Sequence, residues 1–238
     1  MGQSIFAIIV LSIFTSCQCR QQVTLPISTI DSTLQVNATA ILESKLSEIN
    51  AQSGQVIIME VQTGQIKALV GLTRKDSTNY QSCENFSVWQ STGLMHPISL
   101  LAALETGKVK LSDKVDTGNG IYQIHGRELK DHNWHRGGYG ELTVQEGLAA
   151  SSNIAIYKTM EKAFGDNPQT FFDLLANMSY GKPDSINGIA SLQPYKITEK
   201  NITWNCIGYE QLISPIQVLT FYNAIANNGK MIQPQLYK

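Results

Sequence analysis

Two short apolar runs separated by a polar tetrapeptide are the clearest pattern in the first third of the chain. Residues 55–61 (QVIIMEV) and 66–72 (IKALVGL) flank Gln62-Thr63-Gly64-Gln65, and their length and the glycine between them predict a β-hairpin. Upstream, Leu34, Ala38, Ile41, Leu42 and Ile49 recur at near-helical spacing, which predicts a helix capped by Asp31 or Ser32, laid on a sheet and broken at Gly54. Residues 74–89 are polar and loop-like. From Ile98 the run ISLLAALE is helix-favouring on nearly every side, so it reads as a buried central helix, entered through a Ser/Thr/Gly turn with Pro97 at an early helical position. Residues 108–140 are rich in Gly, Asn and His and read as an extended surface excursion. A short helix over 142–150, the tripeptide Ser151-Ser152-Asn153 and a second helix over 154–164 follow. Another helix with variable loops then leads to a last helix beginning at Ser214-Pro215.

The N-terminus adds an address. Residues 5–14 (IFAIIVLSIF) are too few to span a bilayer as a helix but suit the core of a signal peptide. Phe14-Thr15-Ser16-Cys17 resembles a bacterial lipobox, although MGQS lacks the usual positive side chains; the alternative is an ordinary secretory signal. The expected organisation is a lipoprotein-type signal over 1–17 with Cys17 lipidated, a linker over 18–27, and one domain over 28–238. That makes the protein exported, periplasmic and attached to the membrane by a lipid anchor.

Composition narrows the remaining classes. The chain has 238 residues, 42% of them hydrophobic, with 18 basic and 19 acidic side chains and a net charge of -1. The basic residues form no run, so nucleic acid has no electrostatic footprint here. Cys83 and Cys206 are either a disulfide pair or two free thiols. His132 and His135 have a spacing seen in some metal sites, but no acidic or cysteine partner stands at a recognisable distance, so they read as a polar loop without metal.

Several stretches resemble one family. TLPISTIDSTLQ is similar to the T-I-D-x-x-L-Q entry of penicillin-binding-protein transpeptidase domains, and the hairpin to their G-V-V-V-M-D-P-x-T-G-E-I-L-A-M. Glu84-Asn85-Phe86 resembles the E-N-F-A that precedes the nucleophile helix. IGYE, followed by SPIQVLTFYNAIANNG, resembles I-G-Y-G-x-x-x-T-P-L-Q-x-x-x-A-Y-A-A-I-A-N-x-G, the most specific match of all. The nucleophile helix of that family reads Y-E-P-G-S-T-F-K-P and ends L-E-x-G; here residues 89–97 read WQSTGLMHP and the end is Leu104-Glu105-Thr106-Gly107.

The resemblance is to division-type (class B) peptidoglycan D,D-transpeptidases. It implies an α+β fold of the serine β-lactamase type, helices around an antiparallel sheet, cut short before its last strands. It puts Gly93 on the nucleophile and His96 on the lysine that serves as base, so both are replaced. A register using Ser91 would put Leu94 where the lysine belongs. Ser151 and Asn153 fall on the S-x-N motif, where the family's serine relays protons and its asparagine holds the substrate amide. Lys-Thr-Gly, the third motif, does not occur in these 238 residues. The function implied is a cell-wall protein related to enzymes that join peptidoglycan stem peptides, catalytically inactive and without cofactors, with stem peptide and division proteins as its partners. The alternatives are a lipid-anchored binding or scaffold protein, or a nonfunctional gene fragment.

Overall fold

The computed structural model describes residues 26–83, 90–186 and 192–238. Cys17 and Glu84-Asn85-Phe86 lie outside the described residues.

Helix α1 (Ser32–Glu48) begins at Asp31, whose carboxylate accepts from the Leu34 amide at 2.9 Å. It lies on β2 (Ile66–Arg74), which pairs with β1 (Ser53–Met59) in the predicted hairpin; Val56 stands opposite Val70 and Ile57 opposite Leu69. The face that α1 buries shares Ala38 and Leu42 with the one read in the sequence and differs in the rest. Leu34, Ile41 and Ile49 are exposed, and Ala38, Leu42 and Leu46 pack against Ala68, Val70 and Leu72. Gln35 sets this rotation: its amide donates to Leu69 O and accepts from Leu69 N, both at 2.8 Å, which fixes the 35, 38, 42, 46 stripe against the strand. Gly54 is not a break but part of β1. A Cβ there would come within 2.8 Å of Leu46 Cδ2, so glycine permits the close approach of helix and strand.

The segment read as a loop contains a third strand, β3 (Tyr80–Ser82), giving the sheet order β1-β2-β3. Gly64 sits in the hairpin turn at φ +71°, and a Cβ on it would meet Gln233 O at 2.5 Å, because the segment around 232–238 crosses there. Ile66 N donates to Gln235 O and Thr29 N to Leu236 O, both at 2.9 Å, so this segment also joins the N-terminal residues to the sheet.

Helix α2 (His96–Glu105) is buried through His96, Ile98, Ser99, Leu100, Ala102 and Ala103, as its composition predicts. The excursion after it is more ordered than expected. β4 (Lys114–Asp116) pairs with β7 (Glu141–Thr143), and between them β5 (Ile121–Ile124) and β6 (Arg127–Lys130) form a hairpin closed by His125 and Gly126, both at positive φ. Ile124 and Leu129 of that hairpin reach the main core. Helix α3 (Val144–Ala149) is shorter than predicted because Glu141–Thr143 belongs to a strand; Thr143 and Glu146 close a capping box at its start.

The core is built by α2 and α4 (Asn153–Phe164), joined by α5 (Gln169–Asn177), α6 (Ile202–Asn205) and α7 (Pro215–Ala226); a two-stranded piece, β8 (Lys196–Ile197) with β9 (Gln211–Leu212), lies between α5 and α7. Met95, Ile98 and Ala102 share one cluster with Ile154, Met160, Phe164, Phe171 and Phe221. Cys83 and Cys206 are free thiols, which settles the alternative left open by the sequence. Burial pushes the Cys206 thiol well up, and it bonds Thr203 O at 3.3 Å. Among the described residues no helix is long and apolar enough to cross a membrane.

Candidate acyl-transfer site

The chain enters α2 through a tight turn, Thr92–Met95, and neighbouring elements hold this turn closely. Gly208, at φ +82°, is pressed so near that a Cβ would lie 2.5 Å from Thr92 N and 2.6 Å from Ser91 Oγ; only glycine lets that loop pass. Tyr222 donates its hydroxyl to Leu94 O at 2.8 Å, and Ser99 Oγ donates to Cys206 O at 2.8 Å, tying the first turns of α2 to α7 and to the loop after α6. Ser91 is buried, whereas Thr92 and Gly93 are exposed.

Opposite this turn stands the α3–α4 corner. Ser151 is exposed and adopts φ +51°, an uncommon conformation for a residue with a side chain. Ser152 caps α4: its Oγ accepts from Ala155 N at 3.0 Å and donates to Asp131 Oδ2 at 2.8 Å. Asp131 Oδ1 accepts from Ile154 N at 3.0 Å. Asp131 is fully buried; desolvation raises its pKa above the ordinary carboxylate range, and these hydrogen bonds pull the other way.

The four sequence-predicted positions meet here. A Cβ on Gly93 would lie 3.3 Å from Ser151 Oγ, so position 93 looks directly onto that hydroxyl. His96 is 2% exposed; its Nδ1 lies 3.2 Å from Ser151 Oγ and its Nε2 3.1 Å from Asn153 Oδ1. Asn153 Nδ2 donates to Lys130 O at 2.9 Å. Burial lowers the His96 pKa to about 4, with the Asn153 hydrogen bond opposing, so the ring is neutral at pH 7.

Reading the sequence missed Asp131 and the Lys130 carbonyl, which hold this corner. Asp131 lies beside the polar HNWH segment, and nothing in the local pattern marks it as buried. The two histidines of that segment turn to their neighbours: Tyr139 Oη lies 3.1 Å from His132 Nε2, and Trp134 meets His135 edge-on. Among the described residues no group of three or more His, Cys, Asp or Glu side chains converges as metal ligands would.

A buried helix whose first turn faces a Ser-x-Asn corner, beside an antiparallel sheet backed by α1, defines a transpeptidase-like α+β domain. The chain belongs to the penicillin binding protein transpeptidase domain family, whose profile matches residues 54–238. Among curated relatives it is 24% identical over 233 residues to the peptidoglycan D,D-transpeptidase FtsI homolog of Mesostigma viride, covering 87% of this chain and 38% of that one. It is 24% identical over 214 residues to peptidoglycan D,D-transpeptidase FtsI of Escherichia coli strain K12, covering 84% and 35%. The chain therefore spans less than two fifths of the length of these relatives.

Solved structures share the fold. A peptidoglycan glycosyltransferase from Burkholderia ambifaria superposes with a TM-score of 0.73 at 24% identity, covering 89% of this chain and 65% of that one. The apo TP domain of Burkholderia pseudomallei penicillin-binding protein 3 gives 0.72 at 23%, covering 90% and 61%.

Proposed function

We propose that this protein is a cell-wall relative of the D,D-transpeptidases in which acyl transfer through the turn into α2 has been lost. The observation that supports it is the pair Gly93 and His96. Forming an acyl-serine on this turn needs a hydroxyl at the position facing Ser151 and a base to take its proton. Gly93 offers no hydroxyl, and Ser99, three residues after His96 on the same helix, donates its own to Cys206 O. Losing the nucleophile of a serine hydrolase lowers turnover by roughly 10⁶-fold. Recognition of peptidoglycan stem peptide or of a division protein at the wall is retained, with Ser151 and Asn153 among the polar groups that serve it.

The test is fluorescent penicillin applied to the whole protein, with adducts mapped by mass spectrometry. The expected result is no covalent adduct on residues 91–93. An adduct on Ser91 or Thr92 would overturn the reading, because either would be a working nucleophile on the same turn.

Export and anchoring form part of the same proposal. Cys17 carries the lipid, and metabolic labelling with a fatty-acid analogue in the producing cell should mark the wild type and not Cys17→Ser. Equal label on both, or none on the wild type, removes the anchor from the proposal.

A further inference from the structure

We propose that Ser151, His96 and Asn153 form an acyl-transfer centre of their own, with Ser151 as nucleophile, and that its substrates are carboxylic esters. This goes beyond the loss of chemistry at position 93 and does not depend on it.

The orientation follows from one carbonyl. Asn153 Nδ2 donates to Lys130 O at 2.9 Å, which turns Oδ1 toward His96 Nε2, 3.1 Å away. An amide oxygen only accepts, so Nε2 carries the ring proton. Nδ1 then holds the lone pair, and Ser151 Oγ stands 3.2 Å from it, placed to donate. Nucleophile, base and orienting group thus follow one another at hydrogen-bond distances, the arrangement by which a neutral imidazole activates a hydroxyl. Asn153 is a positioning residue, as is Asp131, which holds Ser152 and the Ile154 amide and so fixes the corner that presents Ser151.

Access follows from the same geometry. Ser151 is exposed, and its left-handed backbone carries it out at the corner between α3 and α4. The residue facing its hydroxyl is Gly93, where any side chain would begin 3.3 Å from Oγ. With glycine at position 93, a hydroxyl already paired with a base is left uncovered at this corner.

The step balances within these groups. Ser151 Oγ attacks the ester carbonyl carbon while its proton passes to His96 Nδ1. The carbon–oxygen bond to the alcohol then breaks, and the proton goes to the departing oxygen. Water attacks the acyl-serine in the same way, giving its proton to Nδ1; Ser151 leaves and takes that proton back, so ester and water become acid and alcohol. Esters are favoured over amides because an amine must be protonated as it departs. An uncharged asparagine and a buried ring give the imidazolium little support, and an alkoxide or phenoxide leaves with less help.

The experiment treats the full chain with a fluorophosphonate probe and with p-nitrophenyl acetate, maps the modified residue by mass spectrometry, and records the His96 tautomer by ¹⁵N NMR, assigned with His96→Gln. Expected are modification at Ser151, its loss in Ser151→Ala, a fall of about 100-fold or more in His96→Gln, and the Nε2–H tautomer in the wild type. Asn153→Ala should shift the tautomer toward Nδ1–H as well as slow modification, which a purely structural role would not do. Ser151 is exposed, so its alanine variant should keep the wild-type circular dichroism spectrum. Absence of label on the folded wild type, label unchanged in Ser151→Ala, or the Nδ1–H tautomer in the wild type would each overturn the proposal. A penicillin adduct on Ser91 or Thr92 bears only on the loss of chemistry at the α2 turn, so the two proposals fail separately.

Discussion

Two turns face each other across this site, and they differ in what they carry rather than in how well they are held. The turn into α2 is gripped by Gly208, Tyr222 and Ser99, yet presents a glycine. The α3–α4 corner is gripped by Asp131 and keeps a hydroxyl and an amide. The comparison separates two things that an active site usually joins: the packing that places a backbone, and the functional groups that the backbone displays. The packing at the α2 turn serves the core, since Met95 and Ile98 lie beneath it in the main cluster. It is therefore retained whatever stands at position 93.

The largest effect that would break this comparison is expected from Asp131→Ala. Removing the buried carboxylate leaves the Ile154 amide without its acceptor and frees Ser152. A loss of about 3 kcal/mol is expected, since an orphaned buried donor and a lost charged hydrogen bond each cost roughly 1–3 kcal/mol. Urea denaturation checks it, with Ser151→Ala as the comparison, expected to lose about 1 kcal/mol or less because one hydrogen bond, to His96 Nδ1, goes with the hydroxyl.

The second effect is on pH. His96 titrates at about 4 when folded, against an ordinary histidine value of 6.5. Its folded pKa is depressed, so the unfolded chain binds the proton first as pH falls. Stability from this group is complete above about pH 6.5 and is lost on the way down to about pH 4. Between pH 7 and 4.5 the loss should be about 2 kcal/mol, at 1.36 kcal/mol per pKa unit. Asp131, with a raised pKa, contributes in the opposite direction, so the measurement is the difference in unfolding free energy between wild type and His96→Gln at the two pH values. An equal pH dependence in both proteins would show that His96 is not the neutral buried ring described.

The smallest effect, and the one that sharpens the contrast, is Gly93→Ala. Among the described residues its methyl has one near neighbour, Ser151 Oγ at 3.3 Å, so stability should change by less than about 1 kcal/mol. Ester-probe modification of Ser151 should nevertheless slow, because the methyl occupies the approach to the hydroxyl.

Much of this architecture was readable from residue order, and the failures have physical causes. The hairpin was legible because both strands are uninterrupted apolar runs and Gly64 marks the turn. The burial of α2 was legible because its composition leaves no polar face. The face of α1 was misread because Leu34, Ile41 and Ile49 are apolar yet exposed, while a polar residue, Gln35, docks the helix on β2. The β5–β6 hairpin was missed because its turn is His125-Gly126 and its strands are polar on their outer sides. Gly93, His96, Ser151 and Asn153 were picked out by alignment to motifs, and the structure brings them together. No motif shows that the Lys130 carbonyl orients Asn153, because that contact joins a strand to a helix 23 residues away.

The crossing of Gly64 by the segment around Gln233 also bears on the order in which the molecule can be assembled during synthesis. Thr29 Oγ1 bonds Gln235 O across 206 positions, and Ile66, Ile186, Ile216 and Leu236 form one small cluster from four distant stretches. Hairpin β1–β2 is local and closes early, but its turn and the first residue of β2 have no cover until the ribosome has released residue 236. Closing so long a loop adds little free energy, about 0.6 kcal/mol per doubling of length, yet it delays the contact. The α2–α4 core also draws on Val218 and Phe221 of α7, with Met231 packed against it, so the half of the protein that carries the site and the half that carries the sheet both wait for the last stretch of chain before their packing closes.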